Sequence, residues 1–419
     1  MRLELEADQL RKLRVLLAAI ARDNPFYSAK LRGRRIDIGF AGLADLPFTL
    51  KQELIDDQLT NPPYGSNLTY RLDRYTRFCQ TSATTTGNPM RWLDTPESWG
   101  WMLDQWTRVY GAAGVGAGDA IFFAFSFGPF LGFWVAFEAA TRMGSLAIPG
   151  GGMRSAARLR AIIDTSVTAL CCTPTYAMRL GEAAAEEGID LAAAKVRTII
   201  VAGEPGGSVG AVRNRISKLW HGARVVDHHG MTEIGPVSYG CPRRPDVLHV
   251  MEDAYIAEVI DPGSGRAVPR GSTGELVLTN LGRLGSPLLR YRTSDIVQAA
   301  VEECCECGSY DLALNGGILG RSDDMLVVRG VNVYPAAVDN ILHSFDAVSE
   351  YRVAIQNHRS LPELSIEVEP ALGYANDSSL RHRLEAALTN AFALRIPVTL
   401  AAPGSLPRFE MKARRWIRV

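Results

Sequence analysis

The sequence has no surplus of charge: 45 Lys plus Arg residues balance 45 Asp plus Glu residues, for a formal net charge of zero. A chain without a basic excess lacks the electrostatic footprint of a nucleic-acid binder, and nothing in it announces an acidic membrane partner. Cysteine is scarce and odd in number, seven in all, with Cys171 and Cys172 adjacent and Cys304, Cys305 and Cys307 clustered. That pattern does not suit a secreted disulfide framework and predicts a reducing, cytoplasmic setting. Long apolar runs are missing too. The best candidate, 120–137, is interrupted by Ser126, Gly128, Pro129 and Gly132, which fits a buried strand, a turn and a buried helix better than a membrane span. The first 27 residues show no small-residue cleavage pattern and predict an amphipathic helix instead of a signal peptide. No Gly-Lys-Ser/Thr phosphate loop occurs, and Gly114, Gly116 and Gly118 lack the spacing of a dinucleotide fingerprint.

What is present is ordinary globular composition over 419 residues, 47% hydrophobic and 21% charged, enough for two to four domains. Between 98 and 227 the pattern alternates. Helices are expected at 98–113, 131–143, 154–164, 175–187 and 210–220, and strands at 120–125, 145–148, 169–173, 198–202 and 224–227. Strands separated by helices of ten or more residues imply right-handed crossovers and a doubly wound parallel α/β sheet. From about 240 to 310 the texture becomes a smaller antiparallel β unit, with strands at 254–260, 274–278, 288–291 and 296–300. A third texture predicts a compact α+β domain over 323–419, after a large N-terminal domain over 1–322. Its expected elements are strands at 325–329, 351–356, 363–369 and 397–401 and helices at 335–345 and 378–392.

Five segments carry polar chemistry. The hydroxyl-dense stretch Thr81-Ser82-Ala83-Thr84-Thr85-Thr86-Gly87-Asn88-Pro89 offers serial donors around a glycine turn, as a phosphate cradle requires. Asp227-His228-His229-Gly230-Met231-Thr232-Glu233 follows a strand, where open α/β sheets bind ligands. Tyr291-Arg292-Thr293-Ser294-Asp295 places an acid after a strand, Gly320-Arg321-Ser322-Asp323-Asp324 leads into Arg329-Gly330-Val331-Asn332, and Leu406-Pro407-Arg408-Phe409-Glu410-Met411-Lys412 presents a lysine near the C-terminus. Separately, Cys241 and His249 together with Cys305 and Cys307 make two pairs of soft ligands in the antiparallel unit, a set suited to structural zinc, against a bland reading as reduced thiols and a turn histidine.

In this order and spacing the segments resemble the phenylacetate–coenzyme A ligase family of the acyl-adenylate-forming superfamily. Asn24-Pro25-Phe26-Tyr27 and Leu46-Pro47-Phe48-Thr49-Leu50-Lys51 look like that family's entry segments, so the likeness spans nearly the whole chain. The resemblance implies ATP-dependent activation of an aryl or arylacetic acid to an acyl-adenylate, then thioesterification to coenzyme A, with Mg2+ assisting. Transfer to a carrier protein's phosphopantetheine, or a nucleotide-binding relative without turnover, are the alternatives, and a homodimer is suggested.

Carried over by resemblance, the nucleotide would meet Ser82, Thr84, Thr85, Thr86, Gly87, Gly203, Glu204, Pro205, Asp227, His228, His229, Gly230, Met231, Thr232, Asp295 and Arg321. Glu233 would hold magnesium and Lys412 would be the catalytic lysine. Asp323 would be a hinge, and Arg329, Gly330 and Asn332 would line a coenzyme A tunnel. Phe127, Gly128, Pro129, Gly150, Gly151, Gly203, His228, Gly230 and Pro236 would wall the acid pocket. The glycines there leave room for a flat ring but for no long channel, and Glu204 and His228 favour a ring bearing a hydroxyl or amino group. One departure stands out: Thr84 and Asn88 replace the glycine and lysine usual in the family's phosphate loop. Arg414 and Arg415 are expected on a solvated face.

Overall fold

The computed structural model describes residues 2–34, 39–81, 89–329, 331–358, 361–371, 373–409 and 413–419. Its centre is a parallel sheet of five short strands, Ala120–Phe123, Leu146–Pro149, Ala169–Cys172, Thr198–Ala202 and Arg224–His228. The second strand lies outside the first, and the other three follow on the first strand's opposite side. Because successive side chains in a strand point to opposite faces, the strands feed two cores. Ile121, Phe123, Cys171 and Ile200 pack with Trp106, Val109 and Ala136, whereas Phe122, Leu170, Cys172 and Ile199 pack with Leu159, Leu180 and Ile216. Cys171 and Cys172 therefore face away from each other, and burial raises the pKa of both thiols. They are two core residues and not a redox pair.

The helices start where the sequence marks them. Asn24-Pro25, Thr95-Pro96 and Thr173-Pro174 use one device: the first side chain accepts the N–H of the residue three ahead, and proline occupies the first helical turn. Each such cap contributes about 1 kcal/mol. The N-terminal helix Arg2–Asp23 buries Leu13, Leu16, Leu17 and Ile20 on one stripe, packed on Ile256, Leu281 and Leu289 of the antiparallel unit. No helix among the described residues is long and apolar enough to cross a membrane.

The antiparallel unit corrects the sequence reading in one respect. The expected strands at 288–291 and 296–300 are one strand, Tyr291–Gln298, paired with Thr273–Asn280 and Gly320–Arg321. The polar run that looked like a break is absorbed by a register shift between Glu275 and Val277 and a left-handed φ of 64° at Ser294. Such bulges re-aim a side chain without ending the strand, and here the side chain is Asp295. Three short strands with no alternating pattern, Ser238–Gly240, Val247–Val250 and Ala313–Asn315, form a second small sheet.

In the C-terminal part, Val398–Leu400, Leu361–Pro370, Val348–His358 and Trp416–Arg418 lie side by side in one sheet. The helices Pro335–His343 and Leu380–Phe392 pack against it through Val338, Leu342, Leu384 and Leu388. The last strand was not apparent from sequence, and it overturns the solvated reading of Arg415. Pairing in parallel beside Val353 turns Arg415 inward, where Nε lies 2.6 Å from Glu350 Oε1 and the guanidinium covers the Tyr351 ring. Arg414 stays exposed. This part touches the parallel-sheet part through Arg215, which donates to Val348 O at 2.7 Å, and through Lys218 with Asp346 at 3.0 Å.

Candidate active site

Ligands of open α/β sheets bind beyond the carboxyl ends of the strands, and the loops there are tightly braced. After Arg224–His228 the chain makes a small hairpin that pairs Gly230 with Pro236 and Met231 with Gly235. Gly230 is required: a Cβ would lie 2.8 Å from Gly235 O and 3.2 Å from the Pro236 Cα. At the hairpin's tip, Arg283 donates through Nη1 to the carbonyls of Thr232 at 2.7 Å and Glu233 at 3.0 Å. Its Nε and Nη2 donate to the two oxygens of Asp94, each at 2.6 Å. Both side chains are 0% exposed. Asp94 ends the strand Arg91–Asp94, so this buried pair ties that strand to Thr232 and Glu233. The Glu233 carboxylate is itself buried, with Oε1 3.0 Å from Lys51 Nζ.

A second chain of charges begins at His229. Its Nε2 lies 2.9 Å from Asp295 Oδ2, while Arg321 Nη1 donates to Asp295 Oδ1 at 3.2 Å. Arg321 then grips Asp323 with Nε at 2.8 Å and Nη2 at 2.7 Å. The acid assigned to ribose and the residue assigned to the hinge are thus joined by one guanidinium, a contact that no local pattern reveals. The adjacent His228 points elsewhere, packing on Trp106 at 4.3 Å between ring centroids.

Several expected contacts are spent inside the protein. Asp227 Oδ2 accepts from Ser208 N at 2.9 Å and Ser208 Oγ at 2.6 Å, and Oδ1 accepts from His228 N at 3.1 Å. Burial raises its pKa. Asp227 braces the 206–208 loop, where Gly207 comes so close that a Cβ would sit 2.6 Å from the aspartate. Glu204 likewise turns from the acid pocket: Oε1 accepts from Thr175 N at 2.8 Å and Oε2 from Ala413 N at 3.2 Å. The space expected beside Gly150 and Gly151 is also filled. A Cβ would meet the Phe122 ring at 2.5 Å at the first and the Phe127 ring at 2.9 Å at the second. These glycines admit the protein's own aromatic rings.

Phe127 in turn packs edge-on against Trp134 and Phe137, at 4.7 and 5.4 Å between centroids. The Gly128 carbonyl accepts from Trp134 Nε1 at 3.0 Å, and Pro129 O accepts from Gln80 N at 2.6 Å. Pro236 O accepts from the Tyr255 hydroxyl at 2.6 Å. Gly203 and Pro205 are exposed in the loop that carries Glu204. Arg329 turns a hairpin between Leu326–Val328 and Val331–Val333 with a φ of 50°, and Asn332 is exposed on its second strand. Ser82, Thr84, Thr85, Thr86, Gly87, Asn88, Gly330 and Lys412 lie outside the described residues.

The soft ligands converge. One ligand atom from each of Cys241, His249, Cys305 and Cys307 lies within 4.8 Å of all the others. Cys241 Sγ is 3.8 Å from Cys305 Sγ, and Cys307 Sγ is 3.5 Å from His249 Nε2. His249 Nδ1 lies 3.2 Å from the Asp311 carbonyl, which can only accept, so Nδ1 carries the proton and Nε2 keeps its lone pair toward the sulfurs. Burial lowers the pKa of His249, which favours the neutral ring a metal needs. All seven cysteines are free, and Cys304 is exposed, directed at the Cys305 carbonyl at 3.6 Å.

Asp94 and Arg283 escaped the sequence reading. They are 189 residues apart, and neither sits in a motif. The only local sign was the company of Asp94 with a helix cap, which says nothing about its partner.

Two family descriptions match the chain: "AMP-binding enzyme" over residues 79–282 and "AMP-binding enzyme C-terminal domain" over 330–418. The phenylacetate–coenzyme A ligase of Thermus thermophilus is 30% identical over 97% of this chain and 94% of that protein. The Escherichia coli enzyme of the same name is 28% identical over 98% and 94%. Among solved structures, a 2-hydroxyisobutyryl-CoA ligase in its postadenylation state superposes with a TM-score of 0.93, at 28% identity, over 99% of this chain and 89% of that one. The same enzyme with coenzyme A in its thioesterification state gives 0.75.

Proposed function

Because the chain belongs to the phenylacetate–coenzyme A ligase family of AMP-binding enzymes, an AMP-forming acid–coenzyme A ligase family, we propose that its substrate is an aryl or arylacetic acid. In the first half-reaction a carboxylate oxygen attacks the α-phosphorus of ATP, the bond to the bridging oxygen breaks, and pyrophosphate leaves. In the second, the thiol of coenzyme A attacks the acyl carbon, its proton is lost, and AMP leaves. The observation that carries the proposal is the bracing of Thr232–Glu233, just past the strand Arg224–His228, by Arg283, and of Asp295, on the antiparallel strand Tyr291–Gln298, by His229 and Arg321. Bringing two anions into line requires groups fixed beforehand, since reorganisation at the moment of reaction is what water cannot avoid.

Roles follow from position. Thr232 meets phosphate, Asp295 takes the ribose hydroxyls, and the aromatic wall of Phe127, Trp134 and Phe137 supports the ring of the acid. Glu233 is a buried carboxylate beside Thr232, paired with Lys51. That fits a residue that would hold Mg2+ by one carboxylate together with substrate phosphates, where the ion would supply positive charge to the leaving pyrophosphate. Lys412 bridges the oxyanions in the first half-reaction. Asp323, released from Arg321, is the hinge that exchanges Lys412 for the hairpin of Arg329 and Asn332. The TM-scores of 0.93 and 0.75 against two states of one ligase show that this relative changes arrangement between its steps and that this chain resembles the postadenylation one, the state that precedes the proposed rotation. The reading is tested by ATP–pyrophosphate exchange dependent on an aryl acid, followed by thioester formation with free coenzyme A. Exchange without a thioester would point to a carrier-protein acceptor, and absence of exchange with every acid would end the ligase reading.

The cysteine cluster fits a structural zinc ion. Tetrahedral ligands at ordinary zinc bond lengths stand about 3.8 Å apart sulfur to sulfur and about 3.6 Å sulfur to nitrogen. Two of the six separations here are 3.8 and 3.5 Å, and all of them fall within 4.8 Å. Four protein ligands with the histidine oriented by a carbonyl suit a closed site that adds stability. Purified protein is expected to carry about one zinc per chain, and Cys305→Ser to lower both the zinc content and the melting temperature. Metal analysis that finds far less than one zinc in gently purified protein would overturn this.

A further inference from the structure

His228 closes the strand Arg224–His228 at the edge where the acid is placed, and its two ring nitrogens have different fates. Nδ1 lies 2.6 Å from the Ser238 carbonyl. A carbonyl only accepts, so Nδ1 carries the ring's proton. Burial pushes the pKa of the ring down to about 3, so a second proton does not join the first at working pH. Nε2 is therefore a bare lone pair. No described residue donates to it, and the neighbour that could cover it is Gly230, whose missing Cβ would have stood 3.3 Å away. The ring is held in place by Trp106 on one face and by the Ser238 bond at its edge. His228 is buried as a residue but its Nε2 keeps an opening to solvent, and an acid that fills this opening either supplies a donor or leaves the lone pair unpaired.

We infer that His228 makes this enzyme selective for carboxylic acids that present a hydroxyl or amino donor to its Nε2, over acids of the same shape without one. The inference rests on the ligase reading and narrows its substrate class. Glu204, the other polar group expected in the pocket, has both oxygens engaged by Thr175 N and Ala413 N, so His228 carries this selection. A site built to bond a substrate hydroxyl or amine rejects the analogue lacking it far more strongly than an apolar pocket rejects a changed methyl, because the buried partner is left unpaired.

The experiment uses acid pairs in which a methyl replaces the donor: 2-aminobenzoate with 2-methylbenzoate, and 4-hydroxy- or 4-aminophenylacetate with 4-methylphenylacetate. Each is assayed for kcat/KM in coenzyme A thioester formation. In the wild type, at least one donor acid should exceed its methyl partner by about tenfold or more. His228→Leu should bring the two members of each pair to the same kcat/KM. His228→Gln, whose amide can donate to the Ser238 carbonyl and present an oxygen in the place of Nε2, should keep it. Equal use of both members of every pair by an active wild type, or a preference unchanged in His228→Leu, overturns the inference and leaves the ligase standing. If no acid supports even pyrophosphate exchange, the ligase reading fails first and the inference with it.

Discussion

Lys412→Ala is expected to slow acyl-adenylate formation by about 10²–10³-fold, the usual cost of removing one positioned group that stabilises transition-state charge. Conversion of a supplied acyl-adenylate to its thioester should be nearly unchanged. The asymmetry follows from the role the family resemblance gives this lysine, which acts before the domains rotate and is absent afterwards. The residues around it fit that role. Arg408 is paired with Glu369 and Arg415 is locked on Glu350, so these two described residues are anchored to the C-terminal sheet. Ala413, the next residue in the chain, donates to Glu204 at 3.2 Å, in the loop after the strand Thr198–Ala202 at the carboxyl edge of the parallel sheet. Pyrophosphate exchange reads the first half-reaction, and thioester release from synthetic acyl-adenylate reads the second. Equal losses in both would remove Lys412 from the adenylation step.

The second large effect concerns the pair that sequence could not show. Arg283→Leu or Asp94→Leu leaves one charge unpaired in a site with no exposure, and should cost about 3–5 kcal/mol of stability. Replacing both, as Asp94→Leu with Arg283→Met, removes the stranded charge and should recover much of that loss, since apolar replacement of a whole buried pair is often neutral. Activity should not return with it. Without the guanidinium, the carbonyls of Thr232 and Glu233 lose the donors that hold them at 2.7 and 3.0 Å, and pyrophosphate exchange should stay low in a protein that melts nearly normally. Denaturant melts together with exchange rates separate the two effects. A double variant with wild-type exchange would show that this brace holds the fold and not the site.

Much of the architecture was legible because local rules and tertiary outcome agree. The helices expected at 98–113 and 175–187 form as Pro96–Ala112 and Pro174–Glu186, starting slightly earlier because Thr95-Pro96 and Thr173-Pro174 supply a cap and a fixed φ. The wholly buried strands Ala169–Cys172 and Thr198–Ala202 are short apolar runs between helices. What failed was wherever a distant partner overruled the local pattern. Thr293 and Ser294 looked like a break, yet Thr293 Oγ1 donates to Leu276 O at 2.7 Å and Ser294 N to Glu275 Oε1 at 3.1 Å, so the strand continues across them. Gly150 and Gly151 read as vacancy, although the Phe122 and Phe127 rings take the space.

The sequence by itself determined which chemical groups this protein owns and the order in which they come. A parallel α/β body, an antiparallel insert and a terminal α+β part follow from periodicity, and the motif order carries the ligase family. Only the tertiary structure decided what each group touches. Asp227 and Glu204 have oxygens suited to a ligand, but backbone N–H groups brought near by folding claim them first. His228 and His229 are adjacent and chemically alike, yet one meets a carbonyl and keeps an open acceptor while the other meets the Asp295 carboxylate. The reason is physical: a buried polar group must find a partner wherever the fold brings one, and which partner arrives depends on contacts between residues far apart in the chain.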